Sequence, residues 1–267
     1  MRWLHEAVTE DSPQQHKLAF CLWTLGIIRS LLKRRFGVEL RNSGISRLWT
    51  HLGLSPQRPI YRSYQQDPKS IEKYLKRTFP QVHALARKRG AVIYLVDEAA
   101  ICADSLRGTT WGKVGQTPVA QDSGGRFRIN LISAVSPRGD RKLRSFEGRM
   151  NENKDLEFRT DLLHDTGRPL IVIADNAGYH SGKFAKKCAR RSNGKITLFH
   201  SPANAPELNP DEQVWNHSKA RFGKVFVETK EHLLREVRNI PMSVQRSRDF
   251  VRSVVQMKDT RYAADAC

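Results

Sequence analysis

Long apolar runs are missing from this sequence. The longest clean stretch, Ala91 to Val96, falls far short of the roughly 20 residues that a membrane-spanning helix needs. The opening Met1-Arg2-Trp3-Leu4-His5-Glu6 carries no apolar signal segment. No membrane partner is expected, and the cytoplasm is the expected compartment. Cysteine is sparse as well: Cys21, Cys102, Cys188 and Cys267 are scattered, so their spacing suggests neither a CxxC zinc site nor a disulfide framework. Acidic side chains are short at both ends of the chain. Residues 1–90 hold 17 Lys and Arg against 6 Asp and Glu, and residues 217–267 hold 11 against 6.

The middle, residues 91–216, is nearly balanced at 18 against 15, so the net charge of +19 sits mostly in the flanks. Such flanks create a positive field that attracts phosphate backbones and releases their counterions. Nucleic acid is therefore the expected partner. An acidic membrane surface fits less well, because no basic amphipathic helix or lipidation signal accompanies the charge.

The first segment reads as helical. Ile28, Leu31, Leu32 and Phe36 recur at helical spacing before Gly37, a C-terminal cap, while Arg29, Lys33, Arg34 and Arg35 occupy the other face. Ser43 is suited to cap a second helix with the stripe Ile45, Leu48, Trp49 and Leu52, stopped by Gly53. Two short helices joined by a Gly-containing turn predict a helix-turn-helix, with Ser46, Arg47, Thr50 and His51 turned outward to phosphates and base edges. A helical hairpin that serves packing alone is the plainer alternative. Residues 54–66, which include Arg58, form either a basic wing or a linker. Asp67-Pro68 opens a helix through about Phe79, broken by Pro80, and a second helical stretch ends at Gly90.

From Ala91 the pattern changes to strands. Ala91–Val96 is a β-rich run ending in Asp97-Glu98, and Thr109–Val114 and Phe127–Val135 suggest two more strands in an antiparallel meander. A helix over about Glu152–His164, a buried strand Leu170–Ala174, a helix around Lys183–Arg190, a strand Ile196–His200 and a helix from near Asn209 follow. This βββ-α-β-α-β-α order predicts an α/β, ribonuclease-H-like domain: a mixed five-stranded sheet with flanking helices. The expected boundaries are 1–66 for a helix-turn-helix or winged-helix module, 67–90 for a helical linker, 91–225 for the catalytic domain and 226–267 for a basic helical tail. In the tail, Leu233, Leu234, Val237 and Ile240 form an apolar stripe, for packing, DNA support or dimer contacts.

Three carboxylates stand at telling places. Asp97 follows the first strand, Asp175 follows the fourth, and Glu212 lies in the first turn of the last helix. In such a sheet the first and fourth strands are neighbours, so the two aspartates would emerge side by side with the helix above them. Crowded carboxylates repel and raise one another's pKa unless cations intervene. Magnesium prefers such oxygen ligands, and two ions can stabilise both the attacking and leaving oxygens of a phosphoryl displacement. Each residue alone also has a plainer reading, as a turn residue for the aspartates or a partner of the Asn209 cap for Glu212.

Val96-Asp97-Glu98, Asp175-Asn176-Ala177-Gly178-Tyr179-His180 and the block Ser201 to Trp215, containing Leu208-Asn209-Pro210-Asp211-Glu212, resemble the signature blocks of mariner-superfamily DDE transposases. The branch they resemble is the bacterial insertion-sequence-630 family, and Trp111 with Val114-Gly115-Gln116-Thr117-Pro118 looks like its β-hairpin segment. The resemblance implies metal ligation by Asp97, Asp175 and Glu212, with two Mg2+ (or Mn2+) ions per site. It assigns no ligand role to Glu98 or Asp211. Asn176 and His180 fall beside the second Asp, where His180 contacts substrate or a ligand, or simply packs. The implied reaction is cleavage at the terminal inverted repeats of an element and joining of the 3′ ends to target DNA, by a homodimer or higher oligomer near the bacterial nucleoid. Relatives usually carry a further helix-turn-helix before the one at residues 24–53. The alternatives to a working transposase are an inactive remnant or repressor that binds element ends, and a related nuclease of the same fold.

Overall fold

The computed structural model describes residues 2–57, 63, 65–104, 113–119, 124–175, 182–245 and 247–266, with 182, 240–245 and 265–266 by backbone alone. The chain divides into two units, Met1–Tyr61 and Arg62–Cys267. Among the described residues no helix is long and apolar enough to cross a membrane.

The described residues of the first unit form the α-helices α1 (Arg2–Thr9), α2 (Leu25–Phe36) and α3 (Asn42–His51), with a short 3-10 turn at Pro13–His16. The Thr24 side chain accepts the Ile27 N–H at 3.3 Å to start α2. Gly37 ends it with φ +66°, a left-handed conformation that glycine adopts without a Cβ clash. Leu4, Ile28, Leu31, Leu32, Ile45 and Trp49 form the shared core. Two expectations are corrected. Phe36 lies outside that core, 53% exposed, with its ring edge-on to Trp3. The cap of α3 is Arg41 and not Ser43, because the Arg41 carbonyl already accepts from the N–H groups of Gly44 and Ile45. The short α1 was not expected; it buries only Leu4 and Ala7, too few apolar residues to reveal a period.

The second unit begins with α4 (Pro68–Lys73), a π-helical turn at Tyr74–Thr78 and α5 (Phe79–Arg89). The Asp67 carboxylate accepts from Lys69 N–H as the cap. Pro80 does not break this run. It stands in the first turn of α5, where its missing N–H costs little, and the wider π turn before it leaves room for the ring. Tyr74, Phe79, Val82 and Ala86 are buried in one core with sheet residues Ile93, Leu95, Ile171 and Ile173.

The sheet contains β1 (Val92–Cys102), β2 (Arg128–Val135), β3 (Arg141–Phe146), β4 (Leu170–Ala174) and β5 (Ile196–His200), in the order β3-β2-β1-β4-β5. β2 is antiparallel to both β1 and β3; β1–β4 and β4–β5 are parallel. Because side chains alternate along a strand, Ile93, Leu95, Ile171 and Ile173 face the core shared with α5, α8 (Pro210–Phe222) and α10 (Arg248–Val255). Val92, Tyr94, Val96, Leu170 and Val172 face the opposite core, under α6 (Glu152–Thr166) and α7 (Gly182–Arg191). In the tail, Leu233 and Val237 of α9 (Lys230–Gln245) are buried with Trp215, whereas the side chain of Ile240 lies outside the described residues.

The strand expectations are corrected at three points. β1 does not end at Asp97: β4 stops at Ala174, but β2 continues as an antiparallel partner from Leu95↔Val135 to Cys102↔Arg128. The expected strand Thr109–Val114 is not a strand at Lys113 and Val114, and its remainder lies outside the described residues. The third strand is instead Arg141–Phe146, whose charge hides its β pattern. At the edge of the sheet, Lys142 pairs with Asp165 at 3.0 Å and Arg144 with Asp161 at 2.9 Å, both on α6.

Under α6 an ion pair is fully buried. Arg159 donates Nε to Asp155 Oδ1 at 2.7 Å and Nη2 to Oδ2 at 2.9 Å, and both side chains are 0% exposed. The guanidinium carbon stands 5.4 Å from the Phe184 ring centroid. Removing one partner of such a pair strands a charge in the core. Asp155→Ala is expected to lower unfolding stability by about 3–5 kcal/mol in urea titrations, and Asp155→Leu with Arg159→Met should recover most of it. A loss below about 1 kcal/mol, the range of an exposed pair, would contradict the buried geometry.

Candidate active site

The parallel register brings the two aspartates together. Leu95 and Ile173 are the last register pair of β1 and β4, and Asp97 and Asp175 each follow two residues beyond it. Asp97, still within β1, shares the parity of Leu95 and so the face on which α8 lies. Asn209 caps α8, its side chain accepting the Asp211 N–H at 3.1 Å. Its Nδ2 donates to the Val96 carbonyl at 3.4 Å, tying the helix start to the strand residue before Asp97.

Asp97, Asp175 and Glu212 thereby line one cavity of about 330 Å³, together with Asn209 and the loop Ser201–Pro206. Asp97 and Glu212 are half-buried and Asp175 is exposed. Among the described residues, no group of three or more His, Cys, Asp or Glu side chains is gathered closely enough to hold an ion. The donors around the cavity are carboxylates, amides and a hydroxyl, a hard, all-oxygen set that suits Mg2+ or Mn2+ better than a thiophilic metal. Burial, then the carboxylates of Glu212, Asp211 and Glu98, pushes Asp97 up to about 9. Burial also raises Glu212, against Lys219 and with a further push from Asp175.

Asp211 has a different place from its neighbour. It is 0% exposed and accepts a hydrogen bond from Ser133 Oγ. Arg141 Nε stands 3.8 Å from its Oδ1, and the Arg141 guanidinium lies 4.9 Å from the Trp215 ring centroid. Burial raises its pKa to about 6 against the pull of Arg141 and Ser133. Ser133 is the register partner of Asp97. One buried cluster therefore seats the strand behind Asp97 and the helix turn carrying Glu212. This role was not legible in the sequence, where Ser133, Arg141 and Asp211 are far apart and Arg141 reads as a surface residue. His200 was missed too; its Nδ1–H donates to the Asp175 carbonyl at 3.3 Å and joins the ends of β4 and β5.

Asn176 and His180 lie outside the described residues, as does Arg58. In the first unit, Ser46, Arg47, Thr50 and His51 are all exposed on α3, away from buried Ile45 and Trp49.

A mixed sheet of this order, covered by helices on both faces, with one acid on β1 and another just after the adjacent parallel β4, defines a ribonuclease-H-like domain. A family model described as DDE superfamily endonuclease matches residues 92–234, and one described as winged helix-turn helix matches residues 19–78. The chain belongs to the DDE superfamily of endonucleases. The Tc1 transposase of Caenorhabditis elegans is 24% identical over 144 residues, 51% of this chain and 52% of that protein. The chain thus spans about half the length of this curated relative. The Mos1 transposase paired-end complex with the left transposon end shares the fold at a TM-score of 0.64 and 13% identity, over 89% of this chain and 74% of that one. The Mos1 mariner paired-end complex with Mn does so at 0.61 and 14%, over 99% and 86%.

A carboxyl raised by folding stabilises the fold fully below its unfolded value, and that contribution is lost as pH rises through the folded value. For Asp97 the window runs from the ordinary 3.8 to about 9. With a chelator present, melting temperature is expected to fall with pH across this window. Asp97→Asn, which stays neutral, should flatten the fall and melt higher than the unaltered chain at mildly alkaline pH. Parallel melting curves for the two proteins would contradict the assignment.

Proposed function

We propose that this chain is a DNA transposase, of the bacterial insertion-sequence-630-like branch, that cleaves the ends of its element and joins them to target DNA. The observation that carries this reading is the single cavity shared by Asp97, Asp175 and Glu212 in a chain of the DDE superfamily. These three residues are the proposed metal ligands and catalytic groups, and they would hold two Mg2+ or Mn2+ ions. When bound, such ions activate the attacking oxygen and stabilise the leaving 3′ oxygen of an in-line displacement. Glu212, carried on the capped end of α8, would complete the ligand set with Asp97 and Asp175. Asn209 holds that end against β1, so the three carboxylates meet the scissile phosphate as one unit. Asn176 and His180 are proposed to support the second aspartate.

The first unit is proposed to bind the terminal inverted repeats. Ser46, Arg47, Thr50 and His51 would enter a major groove, and Arg58 would hold the backbone beside it. Two or more protomers would bring the paired ends together, acting on the bacterial nucleoid in the cytoplasm. A likeness to Tc1 and Mos1 transposases supports this reading, as does the basic excess at residues 1–90.

Incubating the chain with duplexes that carry the element's terminal repeats should yield nicks that depend on Mg2+ or Mn2+. Each of Asp97→Ala, Asp175→Ala and Glu212→Ala should reduce the rate by about a thousandfold or more, the scale of losing several kcal/mol of charge stabilisation. Nicking that persists in all three variants would remove the assignment. Arg47→Ala with Thr50→Ala should leave metal-dependent nicking intact at saturating DNA. It should also narrow the preference for repeat over random sequence by about tenfold or more, the scale of reading a single base pair. An unchanged preference would exclude α3 as the reading helix.

A further inference from the structure

A second cavity, of about 470 Å³, opens at the other end of the sheet. Val92 and Tyr94 line it from β1, with the β2–β3 turn, the residues between α6 and β4, and Arg248 at the start of α10. Val92 and Tyr94 stand five and three positions before Asp97 along β1 and face the opposite core, and no residue lines both cavities, so this cavity is distinct from the acid one.

Its charge is one-sided where it is not paired. Lys142 is taken by Asp165 at 3.0 Å and Arg248 by Asp140 at 2.9 Å. Arg138 and Arg168 are both exposed and, among the described residues, have no carboxylate partner. Arg168 spends its Nε on the Gly90 carbonyl at 3.0 Å, which holds the side chain without neutralising it. Deeper in the cavity, Tyr94 is 3% exposed. Its hydroxyl accepts from Thr166 Oγ1 at 3.4 Å, which leaves its own proton to donate. The frame is rigid. The turn closes through Ser136 and Asp140, and Arg252 Nε donates to the Arg138 carbonyl at 3.0 Å. A Cβ on Gly139, at φ +92°, would stand 2.8 Å from the Arg248 carbonyl oxygen. Two guanidinium groups at the rim and a neutral O–H donor inside form a receptor for a phosphodiester.

We infer that this cavity is a second DNA-backbone site, which takes a phosphate other than the one presented to the acid cavity. The inference rests on DNA being the partner, as proposed above. It gives the nearly neutral catalytic region its own grip on DNA, independent of the basic first 90 residues.

Binding of the full chain to a duplex without terminal repeats, followed against salt concentration with a chelator present, tests it. Arg138→Ala with Arg168→Ala should lower the slope of log affinity against log salt by about 2, near 0.9 for each phosphate that is no longer neutralised. Tyr94→Phe changes no charge, and should weaken binding about tenfold while leaving the slope as it was. Arg190→Ala with Arg191→Ala, which removes the same charge from exposed positions on α7, should keep the original slope. An unchanged slope in the Arg138/Arg168 variant, or an equal loss in the α7 variant, would overturn the inference. Failure of the unaltered chain to cut DNA would overturn the reading of the acid cavity alone, because the salt slope is measured without metal.

Discussion

Three carboxylates held around one cavity are the constraint on which the rest of this structure depends. Like charges repel, the more so where burial removes water, and Asp97 and Glu212 are both half-buried here. Here the parallel register of β1 and β4 supplies the first restraint, because Asp97 and Asp175 follow two residues beyond its last pair, Leu95 and Ile173, and line one cavity. The start of α8 supplies the second. Asn209 reaches the Val96 carbonyl, and Asp211 reaches Ser133, the residue paired with Asp97.

Polar groups are buried around that arrangement. Asp211 and Arg141 are both withdrawn from water, a placement that weakens a fold unless each charge finds the other. Their pairing, with Ser133 and the Trp215 ring beside them, sets the seat of α8 on the sheet. The Asp155–Arg159 pair is buried on the opposite face, within α6, with its guanidinium against Phe184 of α7. Polar interactions of this kind add direction to a core whose apolar side chains would tolerate several packings.

Much of the second unit was legible in the sequence. The runs at Val92, Leu170 and Ile196 are short and mostly apolar, the first two buried on both faces, and they form the three parallel strands. Caps were also legible, as at Asp67 and at Gly167 after α6. β3 was not, since Arg141-Lys142-Leu143-Arg144 has the composition of a loop and becomes a strand by pairing with β2, while α6 offers acids to Lys142 and Arg144 and α8 offers one to Arg141. The extension of β1 past Asp97 was hidden for a related reason: acids look like the end of a strand, yet β2 continues to pair with them. Pro80 misled because proline breaks a regular α-helix, whereas a π turn precedes it here.

The three acids of the site were legible as individuals, each by its place after a strand or in a helix start. The sequence by itself determined their chemical type, the strands that carry Asp97 and Asp175, and the cap that places Glu212 in a first turn. Those features are local and depend only on alternation, capping and charge. Only the tertiary structure decided that residues 97, 175 and 212 share a cavity, that Asp211 turns inward while Glu212 lines it, and that Tyr94, Arg138 and Arg168 surround a second one. These are facts of register and packing between segments far apart in the chain. Nothing in a local pattern distinguishes an arginine that ends in the core, such as Arg141, from one that remains in water, such as Arg138.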